Sequence, residues 1–171
     1  SNTVVPKPPM TYVFWIKPTN ANLDESYALQ CRGYDGGNFR FWFRYYNSKF
    51  RYQWYMMLES EANELEGGGV TDASEAVVDE WAMITMTFDA VASKIKMYIN
   101  KALISNVSAS GITVGTGGTN SLIVGNDSDE SFNAGSAMAL FRCYDSVLTT
   151  DQIKQIYQYT RRSILGMSPK N

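Results

Sequence analysis

The chain has 171 residues, 44% of them hydrophobic, and a formal net charge of −2 at pH 7. That length carries one domain with a full hydrophobic core, and so small a charge excludes a strong overall field that selects nucleic acid or an acidic membrane surface. No histidine is present, which removes Ser-His and Cys-His nucleophilic catalysis, histidine general bases and histidine metal sites.

Read in chain order, residues 1–10 hold three of the five prolines and form a lead-in or linker ahead of a domain over 11–165, with 166–171 as a tail. Tyr12 to Lys17 reads as a strand stopped by Pro18, and Ser26 to Arg32 as a second stopped by Gly33 and Asp35-Gly36-Gly37. Asn38 to Met57 alternates strongly and reads as a hairpin turning at Asn47-Ser48. A two-residue turn puts Phe39, Phe41, Phe43 and Tyr45 on one face with Phe50, Tyr52, Trp54 and Met56, an aromatic core layer. The other face then carries Arg40, Trp42, Arg44, Arg51, Gln53 and Tyr55.

Residues 59–80 hold eight of the 17 acids, no Lys or Arg, and Gly67-Gly68-Gly69, and are expected as a long surface loop. Trp81 to Asn100 reads as a second hairpin with Asp89 to Ser93 as its turn. Short strands follow near 102–105, 121–125 and 136–144. Leu148-Thr149-Thr150-Asp151-Gln152-Ile153 has the spacing of a capping box, with Thr149 as N-cap and Leu148 and Ile153 as a hydrophobic staple. Ile153, Ile156 and Tyr157 form the packing stripe of the helix that follows. No apolar run approaches the roughly 20 residues of a membrane span. Cys31 and Cys143 have no metal or redox spacing and are expected as buried free thiols, with pairing as the alternative.

About nine short strands and one terminal helix make an all-β sandwich. Three segments resemble the concanavalin A-like lectin/glucanase superfamily, in particular its laminin G-like and pentraxin-like domains. They are Phe14-Trp15-Ile16-Lys17-Pro18, the hairpin from Trp81 through Asp89 to Tyr98-Ile99-Asn100, and the run from Phe132 and Gly135 through Phe141-Arg142-Cys143-Tyr144-Asp145 to Gln152-Ile153. The resemblance covers about residues 11 to 160. It implies a jelly-roll β-sandwich of two antiparallel sheets with a short C-terminal helix. Lys101 departs from the family's usual glycine, which leaves Asn100 to take the left-handed conformation. The family also has a strand before the first motif. Here Thr3 to Val5 supplies a stunted one, or the preceding chain is missing, or an edge is left for a partner strand.

Three constellations bear on function. Glu59-x-Glu61-x-x-Glu64 has the spacing of the family's glucanase motif, in which alternate side chains of one strand line a cleft for retaining hydrolysis. The central residue is Glu where the motif has Asp, and no β-branched residue supports a strand, so the segment reads as a solvated acidic loop. Asn126, Asp127, Asp129 and Glu130 gather hard oxygens in a turn, a candidate calcium site; laminin G-like and pentraxin-like domains often bind calcium at the sandwich rim. The Arg40, Trp42, Arg44, Arg51, Gln53, Tyr55 face offers flat rings and forked donors suited to a sugar ring or a protein hot spot if open, and to packing if covered. Asn106-Val107-Ser108 and Asn126-Asp127-Ser128 are glycosylation sequons.

The expected function is a non-catalytic recognition or adhesion module for glycan or a protein surface, extracellular or on a virion or cell surface. It needs no certain cofactor, with calcium as the candidate, and involves neither nucleic acid nor membrane insertion. The alternative is a structural building block of a virion, fibre or cell-surface assembly, self-associating through the aromatic/Arg face. A carboxylate glycosidase is the third reading.

Overall fold

The computed structural model describes residues 9–19, 25–32, 39–46, 49–57, 64–68, 75–108, 121–124 and 136–166. In chain order the strands are β1 (Met10–Pro18), β2 (Glu25–Arg32), β3 (Phe39–Tyr46), β4 (Lys49–Met57), β5 (Glu64–Gly68), β6 (Ala82–Asp89), β7 (Lys94–Ile99), β8 (Ala102–Ser108), β9 (Ser121–Val124) and β10 (Ser136–Tyr144). One helix, α1 (Thr150–Leu165), follows. The strands form two five-stranded antiparallel sheets, β10-β1-β6-β7-β8 and β5-β4-β3-β2-β9. This is the expected sandwich with one addition. β5 lies inside the acidic stretch expected as a loop, and its five backbone pairs with β4, from Gln53–Gly68 to Met57–Glu64, hold it as an edge strand. Backbone pairing asks little of side chains at an edge, so acids and glycines do not forbid it.

Period-two alternation explains the core. Met10, Tyr12, Phe14 and Ile16 of β1 join Ile84, Met86 and Phe88 of β6 and Ile95, Met97 and Ile99 of β7 between the sheets. Tyr52 and Trp54 of β4 complete this layer from the second sheet. The alternate residues Val13, Trp15, Met83 and Tyr98 face outward and are covered by Leu148 and α1. β1 and β6 are therefore buried on both faces, and even their threonines, Thr11, Thr85 and Thr87, are buried. β10 carries an irregularity opposite Phe14, with Leu140 at φ 51°. The extra residue turns Phe141 inward, where it stacks on Tyr12 at 6.0 Å between ring centroids.

The helix starts where its sequence says. Thr149 Oγ1 accepts from the Gln152 amide at 3.3 Å, and the Thr149 amide donates to Gln152 Oε1 at 2.8 Å. Leu148 and Ile153 both pack in the outer cluster as the staple requires. Gly166 ends the helix at φ 63°. Buried Thr11 stitches the approach to the helix onto β1, its hydroxyl donating to the Ser146 carbonyl at 2.7 Å and accepting from the Leu148 amide at 3.0 Å.

One expectation needs correction. β1 is flanked by β6 and β10, and among the described strands the edges of that sheet are β10 and β8. The segment at Thr3 to Val5 lies outside the described residues. Cys143 is a free thiol, as expected, but it is exposed rather than buried, because β10 is the edge strand. Partial desolvation nevertheless pushes its pKa up to about 11, with Asp145 acting in the same direction and a hydrogen bond with Tyr12 opposing both. Little thiolate exists at pH 8, so alkylation of Cys143 by iodoacetamide should run on the order of a hundredfold slower than that of a free cysteine. Reaction at the free-cysteine rate in a mass-resolved time course would show the thiol to be unshifted. The Cys31 side chain lies outside what is described.

Candidate functional site

The β3–β4 hairpin holds the register that a two-residue turn at Asn47-Ser48 dictates, from Tyr46–Lys49 to Phe39–Met56. Tyr52 and Trp54 are 1% and 0% exposed in the inter-sheet core, so their register partners Phe43 and Phe41 belong to the same sheet face. The intervening positions belong to the outer face. There the pairing sets Arg40 opposite Tyr55, Trp42 opposite Gln53, and Arg44 opposite Arg51. All six residues singled out in the sequence thus occupy one face as three successive cross-strand pairs.

The neighbouring strands lengthen each pair into a row. β2 places Gln30 beside Arg40, Tyr27 beside Trp42 and Glu25 beside Arg44. β5 places Glu66 beside Tyr55 and Gly68 beside Gln53, and an isolated bridge brings Glu75 to Arg51. The last row reads Glu25, Arg44, Arg51, Glu75. Two like charges opposite one another destabilise a sheet, and here an acid position stands at each end of the row. Sequence reasoning missed these neighbours. The β2 register shifts between Tyr27 and Leu29, which inserts Ala28, and alternation alone gives no sign of it.

The face is not open along its whole length. Arg51 and Gln53 are each 5% exposed, so at these two positions the covered alternative holds. At this end of β4 the chain at Glu75 pairs with Arg51, and Ala76 beside it packs into the inter-sheet core. On the inner face, burial drives the Tyr52 phenol far above the usual tyrosine range, with Glu80's charge adding to the shift, so it stays protonated.

The other candidates fall differently. Asn126, Asp127, Asp129 and Glu130 lie outside the described residues, between β9 and β10. So do Glu59 and Glu61, whereas Glu64 begins β5. Among the described residues no group of three or more Cys, Asp or Glu is placed to hold a metal ion. No described helix is long and apolar enough to cross a membrane. Of the sequons, Asn106 is exposed on edge strand β8.

A sandwich of two antiparallel sheets with a terminal helix is shared with known domains. The laminin G-like family model of the concanavalin A-like lectin/glucanase superfamily matches residues 1–154. The chain belongs to this superfamily. Among solved structures, the native heptameric SAP-like pentraxin of Limulus polyphemus is similar, with TM-score 0.64, 15% identity, and coverage of 89% of this chain and 72% of that one. Domain 4 of AbnA, an extracellular arabinanase of Geobacillus stearothermophilus solved with arabinotriose, aligns with TM-score 0.66 and 16% identity over 91% of this chain and 69% of that one. The binding domain of botulinum neurotoxin DC, solved in complex with SialylT, aligns with TM-score 0.65 and 16% identity over 88% of this chain, which spans only 35% of the toxin chain. At such identities the likeness shows the shared fold. No curated protein matches the sequence. Within the superfamily the chain keeps the sandwich, the family-like hairpin and the terminal helix. The turn between β7 and β8 has the form expected in the absence of glycine. Asn100 stands at φ 58°, its amide donates to the Met83 carbonyl at 2.7 Å, and its Oδ1 accepts from the Met83 amide at 3.0 Å.

Proposed function

We propose that this domain is a non-catalytic recognition module that binds glycan through the outer face of the β5-β4-β3-β2-β9 sheet. The observation that carries the reading is the assembly of Arg40–Tyr55, Trp42–Gln53 and Arg44–Arg51 as adjacent pairs on one face. Trp42 occupies the middle pair, with Tyr27 beside it on β2. An aromatic position with the guanidinium positions of Arg40 and Arg44 on either side along β3 suits a sugar, which offers an apolar ring face and equatorial hydroxyls. The complexes of structurally similar domains with arabinotriose and with SialylT support the class of ligand. A module of this kind works outside the cell or on a particle surface.

A glycan array followed by titration tests the reading. Truncating a central aromatic anchor costs on the order of 2 kcal/mol, so Trp42→Ala should weaken binding roughly thirtyfold. Failure to bind any glycan would sink the proposal.

A second reading is a structural building block that self-associates through this face, because adjacent aromatic and guanidinium positions suit a subunit contact as well as a sugar. Light scattering at rising concentration separates the two: self-association abolished by Trp42→Ala supports the second, and a stable monomer counts against it. The proposal extends to calcium held by Asn126, Asp127, Asp129 and Glu130. Calcium should then raise the melting temperature relative to chelator, and an unchanged melting curve removes the ion from the reading.

A further inference from the structure

We infer that the domain carries a second, anion-binding patch on the opposite side of the sandwich, built from Lys17, Lys101 and Arg161 around Trp81 and Tyr157, and that it takes an acidic polysaccharide. This goes beyond the glycan reading above and does not depend on it.

The patch is assembled by the fold. Lys17 lies near the end of β1 and Trp81 immediately precedes β6, and the β1–β6 register, ending at Ile16–Ala82, brings them side by side. Lys17 Nζ sits 5.8 Å from the Trp81 ring centroid. Lys101 occupies the turn after β7, which the left-handed Asn100 and its two hydrogen bonds to Met83 hold in place. Its Nζ stands 5.8 Å from the Tyr157 ring, and the Arg161 guanidinium carbon stands 5.8 Å from the same ring. Tyr157 is itself anchored, stacked on buried Trp15 at 5.6 Å and 15°. Trp15 Nε1 donates to Thr160 Oγ1 at 2.8 Å and fixes the helix turn that presents Arg161.

Two cations over one ring repel each other. The ring quadrupole offsets only about 0.5–1 kcal/mol per exposed contact. Among the described residues none of the three cations makes an ion pair; α1's Lys154 is paired with Asp151, 3.1 Å away. Lys101 and Arg161 are exposed. Lys101 and Arg161 share the Tyr157 ring, and Lys17 lies over Trp81 at the end of β1. A chain with repeated sulfates or carboxylates can engage several such cations at once. Because the whole chain carries a net charge of −2, general attraction to a polyanion is weak, and retention would report the local cluster.

The test is retention of the intact domain at low ionic strength on immobilised heparin (sulfate), polygalacturonate (carboxylate), neutral dextran and single-stranded DNA. The expected result is retention on heparin, polygalacturonate or both, none on dextran, and elution by moderate salt. Each exposed cation contributes roughly a two- to fivefold change, so K17Q/K101Q/R161Q should weaken binding about tenfold or more with the melting temperature kept. Trp42→Ala should leave it intact. No retention on either acidic polysaccharide, equal retention of the triple variant, or loss on Trp42→Ala would each overturn the inference. Stronger retention on DNA than on both polysaccharides would overturn the choice of ligand.

Discussion

Trp15→Ala should destabilise the domain by about 3–5 kcal/mol, the range for emptying a large buried aromatic site. Trp15 is 1% exposed, near the centre of β1, and points away from the inter-sheet core. It holds α1 to the sheet by two independent contacts. Its ring stacks on Tyr157, and its Nε1 donates to Thr160 Oγ1, which in turn donates to the Ile156 carbonyl at 2.7 Å. Removing it leaves a cavity beneath the helix with Val13, Met83 and Ile153 around it. Trp15→Phe keeps ring stacking and loses the donor, so a smaller cost of about 1–2 kcal/mol is expected. Urea unfolding followed by circular dichroism measures both. If Trp15→Ala costs less than about 1.5 kcal/mol, the helix does not depend on this residue for its docking.

Asn100→Val should cost about 2–4 kcal/mol, and Asn100→Gly only about 1. At φ 58° a β-branched residue is strained, whereas glycine is not. Both variants remove Oδ1, the acceptor for the Met83 amide, and Met83 is fully buried. The difference between them isolates the backbone conformation, and the glycine value isolates the hydrogen bond. Equal costs for the two would mean that the left-handed conformation is not what Asn100 supplies. Asn100→Val should also disturb Lys101 and with it the cationic patch.

Much of this was legible in local pattern. The β3–β4 register follows from alternation on both strands, because it sets Phe39, Phe41, Phe43 and Tyr45 opposite Met56, Trp54, Tyr52 and Phe50 on one face. The helix start follows from Thr149 and Gln152, whose hydrogen bonds reach only three residues. The turn at Asp89 follows from a side chain that accepts from the Ala92 amide at 2.8 Å. Each of these signals spans a few residues, so neighbouring letters suffice to read it.

What failed to show in the sequence depends on distant chain. β5 exists because β4 offers an edge, not because Glu64 to Gly68 prefers to be a strand. The pattern of Arg51 and Gln53 suits an open or a covered face, and the fold buries both, with the distant Glu75 bridged to Arg51. Cys143 has the apolar neighbours of a core strand, yet β10 lies at the sheet edge. Tyr157 reads as packing, and so it is. Only the docking of α1 brings Arg161 to the same ring as Lys101, sixty residues away in sequence.

By itself, then, the sequence determined the sandwich, the aromatic hairpin register, the turns and the helix cap, because alternation and side-chain-to-backbone bonds are short-range. The tertiary structure alone decided which faces are covered and which charges meet. Burial and charge contact depend on which strands become neighbours, and that is set by packing of the whole chain.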